Sequence, residues 1–140
     1  MNSSAPRLPR PVWLVLATSL VCSLAIAWAF PLVDPDEGRN AEVCSEMAAT
    51  GDVIIPHLAG VPYLDKPPAL FALGALSIRA FGHRPLAVRL PAILAALATL
   101  LLLSRSASRL MGESHAWRAA ALAAAAPLFA VIGAYVIFDM

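Results

Sequence analysis

The chain has 140 residues, of which 60% are hydrophobic and 14% charged, with a mean hydropathy of +0.76 and a net charge of +1. Soluble domains average about 45–50% apolar and about 25% charged residues, so this composition excludes an ordinary soluble domain and points to an all-α membrane protein. No basic patch interleaved with aromatics is present, which leaves nucleic-acid binding without support, and Cys22 and Cys44 have neither metal-ligand spacing nor a plausible disulfide partner.

Residues 1–10 form a short polar tail with Arg7 and Arg10 and no acid. Residues 11–30 carry no charge, and about 20 apolar residues suffice to cross a hydrocarbon core about 30 Å thick. A cleaved signal peptide is the competing reading, with Ala27-Trp28-Ala29 as the cleavage pattern. The apolar run, however, is longer than the roughly 7–15 residues of a signal core. A polar loop follows over about 31–85. It opens with Asp34 as a helix N-cap, Pro35 in the first helical position and Glu37 three residues after the cap, and Gly51 is a natural stop. Between them Ala41, Cys44, Met47 and Ala48 share one face, and Arg39, Glu42 and Glu46 share another. The pattern predicts an amphipathic helix lying along the membrane surface. Residues 52–66, broken by Pro56, Gly60 and Pro62, read as extended or turning chain. Pro67-Pro68 forces Lys66 into an extended conformation just before the apolar segment 67–81. That segment is short for a span and carries Arg79, which fits an interfacial or re-entrant helix better. Two further spans are predicted at 86–103 and 116–138, joined by a connection over 104–115.

Basic residues set the orientation. The tail and the 104–115 connection, with Arg105 and Arg109, belong in the cytoplasm, and the acidic loop belongs outside. With three spans, Asp36, Lys66 and Asp139 then fall at one membrane face. Asp139 follows a long apolar run, and an acid at that depth is a functional candidate by default. Two carboxylates and an ammonium at a bilayer surface suit a lipid phosphate beside a general base. Plainer readings compete. Asp36 and Glu37 suit the first turn of a helix on dipole grounds alone. Lys66 suits a headgroup anchor. Arg89, just inside a span, could snorkel outward or pair with an acid.

The stretch DPDEGRNAEVCSEMAATGD, followed by PYLDKPPALFAL, resembles the first extracytoplasmic loop of the lipid-dependent membrane glycosyltransferases of GT-C fold. The nearest resemblance is to the bacterial aminoarabinose transferases and the dolichyl-phosphate-mannose protein mannosyltransferases. AVRLPAILAALATL and the terminal aspartate extend the resemblance over nearly the whole chain. The resemblance implies an integral membrane enzyme of the cytoplasmic (inner) membrane. It would transfer a sugar from a polyprenyl-phosphate donor to a lipid, glycan or protein acceptor. It also implies site residues: Asp36, Glu37 and Asp139 as catalytic acids, and Lys66 and Arg39 at the donor phosphate. No cofactor is certain. A divalent metal would have Asp36 and Asp65 as candidate ligands, although Asp65 stands where some relatives have glutamate. Family members carry many more spans and a soluble C-terminal domain, so the resemblance implies that the chain is an N-terminal portion. The rival from another class is a non-catalytic small membrane subunit or transporter fragment. Alanine-rich spans would serve it well, but the lysine locked among acids would be unexplained.

Overall fold

The computed structural model describes residues 8–33 and 35–135. Six helices and one minute hairpin follow in order: α1 (Arg10–Ala29), α2 (Asp36–Thr50), β1 (His57–Leu58), β2 (Val61–Pro62), α3 (Pro68–Phe81), α4 (Pro85–Met111), α5 (Glu113–Ala125) and α6 (Pro127–Ile132). Among the described residues, α1 and α4 are long and apolar enough to cross a membrane. At about 1.5 Å per residue they measure about 30 and about 40 Å. α1 buries only Val12 and Ala27 and turns Leu14, Val21 and Trp28 outward. A helix apolar on every side is suited to hydrocarbon rather than to water.

Over the spans predicted at 86–103 and 116–138 the helices have other bounds. α4 runs through Pro91 and past 103 to Met111, and ends at Gly112, at φ 96. The predicted 104–115 connection therefore shrinks to Gly112, and α4 and α5 pack against each other directly. The 116–138 segment is not one helix. Pro127 lacks the N–H that would continue the ladder and holds Ala126 at an extended φ −67, ψ 120, so the chain breaks into α5 and α6. The predicted cap at Asp34 lies outside the described residues, as do residues 136–138 of the last segment and Asp139. The all-α expectation is modified only by the hairpin, in which His57 pairs with Pro62 and Leu58 with Val61.

α2 ends as expected at Gly51, in the left-handed region at φ 81. Its apolar face is not left for the membrane surface, however. Ala41, Val43, Cys44, Met47 and Ala48 are buried in one cluster with Phe71, Ala75 and Ile78 of α3 and Ala87 and Val88 of α4. α3 supplies a closer apolar partner than the lipid headgroups. A Cβ placed on Gly74 would stand 2.5 Å from Cys44 Sγ, so glycine is what lets the two helices approach. One turn further along, Arg79 Nε donates to the carbonyl of Ala48 at 3.0 Å. Position 44 thus faces 74 and position 48 faces 79.

Candidate functional site at the N-terminal ends of α2 and α3

The chain between α2 and α3 folds back against α2. Glu46 organises this return. Its carboxylate accepts the N–H of Ala59 at 2.5 Å and of Gly60 at 3.1 Å, the two turn residues of the hairpin. Both have positive φ, 53 and 76, as two-residue hairpins demand. Asp52 Oδ1 accepts from Ile54 N–H at 2.9 Å and Ile55 N–H at 3.1 Å. These two bonds, the Ile54 bond foremost, hold the Asp52 carboxyl below its usual range. Beyond the hairpin, the Tyr63 ring meets Phe71 edge-on at 6.1 Å. Lys66 is therefore bracketed by an anchored aromatic before it and by Pro67-Pro68 after it, at the start of α3, where it is half-buried.

The start of α2 is held differently. Arg89, in the second turn of α4, is fully buried, and so is Glu37. The guanidinium meets the carboxylate in bidentate fashion, Nε to Oε1 at 2.7 Å and Nη2 to Oε2 at 2.7 Å. Its other N–H groups donate to the carbonyls of Ala27 at 3.3 Å, Phe30 at 2.8 Å and Pro31 at 2.9 Å. The last carbonyls of a helix have no intrahelical partner, and here the arginine supplies one. A guanidinium carries five N–H donors, and Arg89 places all five. Glu37 also reaches back to accept the N–H of Val33 at 2.9 Å, much as the capping-box residue was expected to do, but from the residue before Asp34. The Tyr135 ring lies against the same guanidinium, its centroid 5.1 Å away.

The acidic pair read from the sequence is thus divided. Glu37 points inward and is saturated by Arg89, whereas Asp36 faces outward and meets Arg39 at 3.7 Å, both half-exposed. Asp36 and Arg39 lie in the first turn of α2, and Lys66 lies two residues before α3. The described chain reaches the Arg89–Glu37 pair through Tyr135, four residues ahead of Asp139. The buried pair was only half legible. An arginine inside a span announces a partner, but nothing local says which of the loop's acids it takes. Among the described residues no three His, Cys, Asp or Glu side chains gather as a metal site would require. Asp65 is exposed, and Asp36 is engaged by Arg39.

Two apolar helices of spanning length, with the polar segment that holds α2 and α3 between them, are features of a helical membrane protein. Over residues 65–140 the chain matches the dolichyl-phosphate-mannose-protein mannosyltransferase family, and it belongs to that family. It is 35% identical over 128 residues to the undecaprenyl phosphate-alpha-4-amino-4-deoxy-L-arabinose arabinosyl transferase 2 of Sodalis glossinidius, covering 86% of this chain and 23% of that protein. The corresponding transferase of Edwardsiella ictaluri is 35% identical over 129 residues, 91% of this chain and 23% of its own. In three dimensions the chain resembles the crystal structure of apo ArnT from Cupriavidus metallidurans, with a TM-score of 0.78 and 31% identity over 89% of this chain and 23% of that one. The chain therefore spans about a quarter of the length of these relatives.

Proposed function

We propose that this chain forms the donor-phosphate and acceptor-activating part of a membrane glycosyltransferase that takes its sugar from a polyprenyl-phosphate carrier. Family membership supports the reaction class, and the names of the relatives specify an undecaprenyl-phosphate donor. The observation that supports the site is the buried bidentate Arg89–Glu37 pair, which holds the first turn of α2, with Asp36 and Arg39, against α4 and the end of α1; Lys66 is added on the family resemblance.

In this reading residues 1–10 are cytoplasmic, α1, α4 and the α5–α6 segment cross the inner membrane, and the loop of about 31–85 lies outside. Lys66 and Arg39 hold the carrier phosphate. Asp36 takes the proton from the attacking hydroxyl or amine of a lipid, glycan or protein acceptor. The bond between the sugar's anomeric carbon and the phosphate oxygen breaks as the new bond forms. The electron pair leaves with the lipid phosphate, where the cations stabilise the growing charge. Asp139 completes the acidic side of the pocket. A non-catalytic subunit would have no use for this arrangement.

The test is Asp36→Asn in the complete gene product, assayed for sugar transfer from a polyprenyl-phosphate donor in detergent, with folding checked by size exclusion. Loss of a general base costs about 10²–10⁴-fold in rate. A helix-dipole role alone costs about 0.3–1 kcal/mol of stability and leaves turnover intact. A well-folded variant that turns over within about threefold of wild type, far below a general-base effect, would remove Asp36 from the mechanism.

A further inference from the structure

We propose that Arg89 is a positioning residue of this site, its buried guanidinium clamping the first turn of α2 and the Tyr135 segment to the end of α1. The inference rests on the transferase reading above and adds to it a residue that touches no substrate.

The acceptors of Arg89 come from separate pieces of chain. Glu37 belongs to α2, the carbonyls of Ala27, Phe30 and Pro31 to the end of α1 and the residues just after it, and the Tyr135 ring to the segment after α6. Each lies next to something the reaction needs. Glu37 directly follows Asp36, and successive helical residues are turned by about 100° around the axis. Fixing the plane of the Glu37 carboxylate therefore fixes the direction in which Asp36 leaves the helix. Tyr135 stands four residues ahead of Asp139. One planar cation thus sets the first turn of α2, with Asp36, against the chain that continues to Asp139.

Stability alone does not account for this choice of residues. Apolar residues of similar volume often replace a buried ion pair at no cost, or even with a gain. A bidentate fork supplies something else. It is satisfied only when guanidinium and carboxylate are nearly coplanar, so it resists both rotation and sliding of α2. A lysine brings the same charge, but its three donors radiate from a point and do not fix a plane. The structure thus separates charge from geometry, and the two are testable apart.

The experiment compares wild type, Arg89→Lys and the paired Glu37→Leu/Arg89→Met variant of the complete gene product. Each is also prepared with spin labels at Glu42→Cys on α2 and Leu128→Cys on α6, both exposed, in a Cys22→Ser, Cys44→Ala background. The distance distribution between the labels is measured beside the kinetics. A misplacement of about 1 Å at a reacting group can cost about 10²-fold. Arg89→Lys is therefore expected to elute as wild type, to broaden the label distribution, and to lower kcat by about 10–10²-fold with KM for the donor nearly unchanged. The paired apolar variant is expected to fold and still to lose kcat, because it restores packing without restoring the plane. The proposal is overturned if Arg89→Lys or the apolar pair keeps wild-type kcat. It is equally overturned if kcat falls while the label distribution stays as in wild type, which would make Arg89 part of the chemistry itself. A wild-type product that transfers no sugar sinks the transferase reading and leaves the label distances as the measure of the clamp.

Discussion

Gly74→Ala probes the contact at which α2 and α3 approach each other. The added Cβ would stand 2.5 Å from Cys44 Sγ and 3.3 Å from Cys44 Cβ. Comfortable non-bonded separations are about 3.5–4.0 Å, so α2 and α3 must part by about 1 Å at this level or the thiol must swing away. The thiol has nowhere to go, since Cys44 is fully buried among Ala41, Met47, Phe71 and Ala75. Overpacking of this kind costs about 1–3 kcal/mol. Alanine recovers about 1 kcal/mol of helix propensity over glycine, which leaves a net loss of about 0–2 kcal/mol. Cys44→Ala removes the 2.5 Å clash and leaves the 3.3 Å contact, which tenths of an ångström relieve. The double variant Gly74→Ala/Cys44→Ala is therefore expected to be more stable than Gly74→Ala, with a coupling energy of about 1–2 kcal/mol. The assay is thermal unfolding in detergent, followed by helical circular dichroism, for the wild type, both single variants and the double. Strictly additive effects would refute the reasoning and would mean that the two helices do not meet at this pair.

Lys66→Ala should weaken binding of a polyprenyl-phosphate donor strongly and Lys66→Arg should keep part of it; unchanged donor affinity in Lys66→Ala would reduce the lysine to a headgroup anchor. With Cys22 and Cys44 replaced, a cysteine at Ala59 should react with an impermeant thiol reagent added outside intact cells while one at Ser106 should not, and the reverse pattern would invert the topology. Burial pushes the Cys44 thiol from 9.0 up to about 12. The folded protein therefore holds this proton where an unfolded thiol loses it, and the stability present below pH 9 declines as pH rises from 9 towards 12. A Cys22→Ser protein should accordingly resist thiol alkylation at pH 8–9 until it is unfolded; rapid labelling of the native protein would contradict the buried α2–α3 interface.

The sequence by itself determined the elements whose causes are local. The uncharged run of α1 needs only its length and apolarity. α2 stops where Gly51 alone can take up a positive φ. The position of Lys66 follows from the two prolines after it. The break at Pro127 has a local cause in its missing N–H, yet Pro91 lacks the same donor without ending α4, and the apolar run around Pro127 reads as one span when hydropathy alone is counted. The tertiary structure decided matters that depend on partners far apart in the chain. It chose Glu37 over six other loop acids as the partner of Arg89, 52 residues away. It assigned Glu46 to the hairpin turn rather than to solvent. It also brought α2 against α3 at the missing side chain of Gly74. Helix propensity and hydropathy act over a few residues and are written in each of them. A buried charge takes whichever opposite charge the packing brings into its plane, and only the folded chain contains that information.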